Sequence, residues 1–347
     1  MEEEEVTGGI EMGEMETCTG HKRLPAVGHQ ETVNDQSKRP RDNDDEEERE
    51  MLAELAEWRD NWAGTWSDYY GSVEKRTQVG PVQFTMGPVP SYPRLDSALQ
   101  IFSVKVVELK GTMMCWPIDV YGFIAVRDSV DRNRNYIFER ARSNYQTLNE
   151  QDSSLVLNGP SRAVQLIDPV LFEVELRVKG TRPSEDKLLS GEFFDYNCIT
   201  GYRFGSLLED MVSGPRSTLQ FKYAHLRLAL EAQINVWFAE GSTDFSVKFV
   251  ARTASIDENA TLLECKDVAM ALSDDGSIDL SRNVLVVEGN NGVLIVGAQV
   301  KHQGDDEDAG SIYREVSFTA ATYGESHGTL DVGFCKMNVV VAWSLLF

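Results

Sequence analysis

The chain is poor in the residues on which most recognisable chemistry depends. Its 347 residues hold five cysteines and five histidines. Cys18, Cys115, Cys198, Cys265 and Cys335 are an odd count with no C-x-x-C pair, a scatter expected of a reducing compartment. His21, His29, His225, His302 and His327 lie equally far apart, none at metal-ligand spacing, so neither a zinc site nor any other metal ligand is assigned. Long apolar runs are missing as well: nothing approaches the roughly 20 residues that span a bilayer, and Glu2–Glu5 is the reverse of a basic signal-peptide start. No G-x-S-x-G, Walker A or Rossmann glycine pattern occurs, so the corresponding hydrolase, nucleotide and cofactor signatures are absent.

Acid is what the chain has in excess. There are 56 Asp and Glu against 33 Lys and Arg, a formal charge of -23. Such a balance argues against unaided binding to nucleic-acid phosphates or to an anionic membrane surface, both of which need clustered cations. An apolar fraction of 41% with 15 Phe, 11 Tyr and 6 Trp nevertheless suffices for a sizeable core. A soluble protein of the cytoplasm or nucleus is expected.

The charge is uneven. Residues 1–60 contain 19 acids and 7 bases, so residues 1–43 read as a disordered acidic tail. Lys38-Arg39-Pro40-Arg41 within it is either a basic cluster for nuclear import receptors or a chance island in a polar tail. From Asp44 an acidic first turn is followed by Met51, Leu52, Leu55 and Trp58 at helical spacing, which predicts an amphipathic helix over 44–64. The helix-spaced aromatics Trp58, Trp62, Trp66, Tyr69 and Tyr70 are better suited to anchoring that helix on a core than to stacking on sugar. A Gly/Pro connector over 65–94 leads to the body, 95–347.

In the body the hydrophobic period is two. Val170, Phe172, Val174, Leu176 and Val178 alternate with Glu173, Glu175, Arg177 and Lys179. The even residues of Phe221–Phe238 stay apolar for so long that the strand must bend or bulge. Other strand-like runs are 101–109, 120–126, 246–253, 283–288, 293–300, 316–322 and 330–343, the last with Cys335, Met337, Val339, Val341 and Trp343 as its buried row. Asp275-Gly276 and Asn290-Asn291-Gly292 are hairpin signals, and Leu188–Arg216 reads as a loop-rich insertion. The fold class is all-β: an antiparallel β-sandwich or barrel-like body after a disordered tail and one short α-helix.

The densest polar stretch follows the strand ending at Val126. Arg127, Asp128, Asp131, Arg132, Arg134 and Asn135 are the candidate binding surface, because loops on a rigid β scaffold commonly carry binding groups. The competing account is a polar strand-turn-strand tied by Asp–Arg pairs; two Asp among several Arg make a poor calcium cage. Ser273–Ser277 lacks the spacing of an EF-hand, with Ala271 where an acid is required. A metal-dependent nuclease would use Asp168 with Glu173 or Glu175 and Lys179 or Arg177, residues that any solvated strand face also displays. No catalytic or cofactor-binding residue is assigned.

The motifs Trp116–Asp128, Arg134–Arg140, Leu157–Val164, Glu231–Ile234, Asp275–Arg282 and Val340–Ser344, in that order, resemble a domain family of unknown function found chiefly in grasses. In some of its members this domain resembles the part that follows an rRNA N-glycosidase domain, as in jasmonate-induced cereal proteins. The resemblance implies a plant stress or defence setting and ribosome association as a possible context. Residues 1–94 are too few for the glycosidase itself, and Leu230-Glu231-Ala232-Gln233-Ile234-Asn235 lacks the Arg of the depurinase Glu-Ala-x-x-Arg signature. A non-catalytic interaction module with a protein partner is the favoured function. An RNA- or translation-directed enzyme and a carbohydrate-binding module are the alternatives.

Overall fold

The computed structural model describes residues 40–111, 114–197, 204–265, 272–302 and 310–347. Residues 1–39 of the expected tail, with Lys38 and Arg39 of its basic cluster, and Cys198 lie outside the described residues. Asp44–Phe347 form one compact unit.

One helix, α1 (Pro40–Tyr70), precedes the strands, and none is long and apolar enough to cross a membrane among the described residues. It runs past Gly64, where the sequence predicted its end. One unconstrained glycine costs a helix only about 1 kcal/mol, and Trp66 beyond it packs against Arg132, 5.0 Å from guanidinium carbon to ring centre. The stop is Gly71, whose φ of 89° is left-handed and whose N–H donates to the Ser67 carbonyl at 2.9 Å.

Seventeen strands follow among the described residues. The first seven are β1 (Asp96–Leu109), β2 (Ile118–Arg127), β3 (Asn135–Arg140), β4 (Gln146–Leu148), β5 (Val164–Gln165), β6 (Val170–Val178) and β7 (Lys187–Tyr196). Then come β8 (Leu207–Ser213), β9 (Ser217–Gly241), β10 (Phe245–Thr253), β11 (Ala260–Cys265) and β12 (Ser277–Ile278). The last are β13 (Val284–Glu288), β14 (Val293–His302), β15 (Ile312–Thr319), β16 (Tyr323–Asp331) and β17 (Cys335–Ser344). They make three antiparallel sheets: β16-β17-β9-β1-β5 with β8, β12 and β13 also on β9; β3-β2-β6-β7 with β4 on β2; and β11-β10-β14-β15. None of the three closes into a barrel, and they pack as sandwiches.

The 25-residue β9 joins the two cores. It contributes Leu219, Phe221 and Tyr223 to the core shared with β2 and β6, and Ala224, Leu226, Leu230 and Ile234 to the core shared with β10 and β14. The expected bend lies at Leu228, with φ 50° beside a register shift against β1. Arg282 clamps the second core to β1, its three nitrogens donating to the carbonyls of Thr261, Ile101 and Phe102 at 2.6–2.8 Å. With no acid beside it, burial pushes the Arg282 guanidinium down to about 10.

Three sequence expectations are corrected. Leu188–Arg216 is no loop insertion, because β7 and β8 occupy most of it. The single run 330–343 is a hairpin of β16 and β17, divided at Gly333 with φ 94°, where Asp331 Oδ1 accepts the Gly333 N–H at 2.9 Å. Asn290-Asn291-Gly292 does turn the chain, but it carries it from β13 in one sheet to β14 in another and makes no hairpin.

Strand β2 approaches β6 closely at Gly122, where φ is 115° and an added Cβ would lie 2.2 Å from the Glu175 carbonyl oxygen. Gly122→Ala is therefore expected to lower the unfolding free energy by about 2 kcal/mol or more, read from the urea midpoint, since both dihedral strain and overlap act against it. An unchanged midpoint would show that this close approach is slack.

Candidate functional site

The segment that follows β2 lies inside the molecule. Of the six candidate residues Arg127, Asp128, Arg134 and Asn135 are buried, Arg127 at 1% exposure, and Asp131 and Arg132 keep partial access to solvent. They are organised by Glu173, which the alternation of β6 placed on a wet face. That face is covered by α1, so Glu173 has 0% exposure.

Register explains the meeting of these groups. Ala125 of β2 stands opposite Glu173 of β6, which puts the Arg127 side chain diagonal to the carboxylate on the same face. Arg127 Nη2 lies 2.7 Å from Glu173 Oε2, and Arg134 Nη2 lies 2.6 Å from Oε1. Arg59 of α1 completes the set, 2.9 Å from Glu173 Oε1 and 2.8 Å from Glu175 Oε2. Trp62 stacks over Arg127 at 4.8 Å and Trp58 stacks on Phe193 at 5.5 Å. The aromatics of α1 up to Trp66 thus anchor the helix, whereas Tyr69 is exposed.

A second knot adjoins the first. Arg162 grips Asp128 through both terminal nitrogens at 2.6 and 2.8 Å and reaches Asp131 at 3.1 Å, while Thr77 of the connector donates to Asp131 at 2.6 Å. Asn135 donates to the Arg162 carbonyl at 3.0 Å, and Arg132 pairs with Asp168 at 2.8 Å. The Asp–Arg tying that the sequence suggested is therefore present, but its cation comes from Arg162, outside the segment, while Arg127 and Arg134 turn to Glu173.

Burial alone would raise the Glu173 carboxyl; the hydrogen bonds from Arg134 and the charge of Arg127 outweigh it and hold the group below the ordinary carboxylate value. Burial likewise lowers Arg127, whereas Asp128 overcomes burial at Arg162 and raises it. Each oxygen of Glu173 already accepts from two guanidinium groups, which leaves no lone pair directed at a metal or a substrate proton. Among the described residues no three acidic, histidine or cysteine side chains form a metal cluster. The nuclease set is spent in the same way: Asp168 on Arg132, Glu175 on Arg59 and Arg177, and Lys179 above the Tyr145 ring at 3.6 Å.

Glu231 sits on β9, as the alternation required. Its carboxylate accepts the backbone N–H groups of Val82 and Ala163, and burial raises it above the ordinary value against the pull of those bonds. Glu231 and Arg162 both line a cavity of about 20 Å³ closed by Gly80, Gln83 and Phe347. That volume holds one water and nothing larger.

Sequence reasoning missed Arg59, Arg162 and the coverage of Glu173, and it gave no weight to an open groove on the outer face of the largest sheet. This groove measures about 580 Å³ and is lined by Trp237, His327, Thr329, Asn338 and Val340. A signal existed in the alternation of β9: Trp237 is an aromatic on the row opposite its apolar residues.

A family model described as Domain of unknown function (DUF6598) matches residues 98–341. No curated protein matches the sequence. Among solved structures, human GIVD cytosolic phospholipase A2 gives a TM-score of 0.26 at 11% identity, covering 74% of this chain and 31% of that one. The tandem C2 domains of extended-synaptotagmin 2 give a TM-score of 0.24 at 10% identity, covering 79% of this chain and 99% of that one. The chain spans about a third of the phospholipase's length, and likenesses this remote carry nothing over to it.

Proposed function

The chain belongs to the family of domain of unknown function DUF6598, and from that premise we propose that it is a non-catalytic interaction module in a plant stress or defence setting, acting on a protein partner in the cytoplasm or nucleus. One observation supports this above the others. Glu231, the acid of the incomplete Glu-Ala-x-x-Arg match, faces a cavity of about 20 Å³, whereas a site that encloses a small-molecule group has a few hundred Å³. No purine fits beside it. Of the other buried charges, Arg127 and Arg134 pair with Glu173, Arg162 pairs with Asp128, and Arg282 is held by three backbone carbonyls, which favours a folding role for them over acid–base work.

An RNA- or translation-directed activity is the reading this displaces, and it is directly testable. Purified full chain incubated with plant ribosomes is expected to release no adenine above the buffer control. Adenine release that disappears in Glu231→Ala would overturn the non-catalytic assignment.

A further inference from the structure

The outer face of the eight-stranded sheet is only half covered. At one end the connector lies on it: the Val82 N–H donates to Glu231, the Phe84 N–H to Ser344 Oγ at 3.1 Å, and Thr85 Oγ1 to the Trp343 carbonyl at 2.8 Å. At the other end β16, β17 and β9 run side by side, and no described residue of the connector bonds to them there. Their register aligns two cross-strand rows, Thr329–Asn338–Trp237 and His327–Val340–Asn235. Between them lies the groove of about 580 Å³, within the range of small-ligand sites.

Its lining is chemically selective. In a chain of net charge -23, no carboxylate, lysine or arginine among the described residues lines the groove. An anionic ligand such as a phosphate chain finds no lysine or arginine there among the described residues, and Glu325, 3.8 Å from His327 Nε2, stands outside the lining. What the groove offers is a half-buried indole beside an exposed amide, hydroxyl and imidazole. Thr329 Oγ1 donates to Asn338 Oδ1 at 3.3 Å, which leaves the Asn338 amide nitrogen to donate elsewhere. Neither that nitrogen nor the Trp237 indole N–H meets a protein acceptor among the described residues. An apolar ring face flanked by uncharged donors and acceptors complements the C–H face and hydroxyls of a pyranose.

We propose that this groove binds a neutral oligosaccharide, free or carried on a partner, with Trp237 as stacking platform and Asn338, Thr329 and His327 as hydroxyl partners. The assignment rests on the chain being a binding module and names the ligand class of its open face. The test is titration of the full chain with xylohexaose, mannohexaose and cellohexaose, followed by calorimetry and by tryptophan fluorescence. At least one is expected to bind, with Kd at or below about 1 mM. Trp237→Ala is expected to weaken it by about tenfold or more. Because Trp237 is half-buried, Asn338→Ala at an exposed position serves as the second variant, with a loss of about threefold to tenfold. Tyr69→Ala, at an exposed position of α1, is expected to change nothing. Failure of all three sugars to bind at about 10 mM, binding that survives both groove variants, or competition for the groove by oligoadenylate would each overturn the proposal. Failure here with no adenine released from ribosomes removes the ligand class and leaves the non-catalytic assignment standing. Adenine release removes that assignment without bearing on sugar binding.

Discussion

Glu173→Gln is expected to lower the unfolding free energy near neutral pH by about 3–5 kcal/mol, the range for breaking a buried ion pair by removing one partner. The carboxylate is fully buried, and Arg127 and Arg134 beside it are buried as well. An amide supplies one acceptor oxygen where two are in use, and it turns an NH₂ group toward guanidinium donors. Two buried cations are then left short of their counter-charge. The pH dependence makes this specific. Glu173 is held below its ordinary value in the folded chain, so the unfolded state takes up its proton first as the pH falls. Its contribution is complete above the unfolded carboxylate value of about 4.3 and is lost as the pH falls through the lower folded value. The wild-type and Glu173→Gln stability curves, measured by urea denaturation from neutral to acidic pH, should accordingly be widely separated near pH 7 and converge in acid. Parallel curves would show that the carboxylate is not what holds the arginines.

Trp62→Ala is the second large effect, about 3–5 kcal/mol on the scale of buried aromatic truncations. Trp62 is 7% exposed and covers the Arg127 guanidinium, so its loss opens a cavity and admits water to the Glu173 cluster together. The helix has further ties, Arg216 to Glu48 at 2.6 Å and Leu55 packed near Gly191, where an added Cβ would lie 3.1 Å from Leu55 Cδ1. Hydrogen exchange should therefore show α1 amides losing protection first, with the amides around Arg134 following. Exchange that rises in α1 alone would mean that the helix is a lid whose removal the cluster tolerates.

These expectations mark where the sequence was legible and where it was not. The period-two rows of β6, β9 and β17 follow directly from residue order, and all the residues of the β17 row are buried as that order requires. The bulge at Leu228 was legible because an apolar row that long exceeds one flat strand. Pairing partners were not. Nothing local distinguishes Glu173 from Glu175, and one is sealed while the other is half-open only because α1 crosses the sheet there. Arg162, Arg59 and Glu231 reach their partners across 34, 114 and 149 residues, separations at which only the folded chain brings side chains together. The Gly333 turn was hidden for a different reason: Leu330, Val332 and Phe334 alternate across it, and only the change of parity at Phe334–Cys335 marks the reversal.

The central claim is that Arg127 and Arg134 of the polar segment, with Arg162 beside them, belong to the interior and that recognition is left to an uncharged face. The measurement that tests it most directly is arginine modification of the native full chain by an arginine-specific dicarbonyl, with each site's rate read by mass spectrometry. Arg127, Arg134 and Arg162, with side chains 1%, 7% and 3% exposed, are predicted to resist modification until the protein is unfolded. Arg182 and Arg94, at 78% and 65%, are predicted to react at once. Native-state labelling of Arg127 and Arg134 at the rate of Arg182 would place them on a working surface and contradict the account.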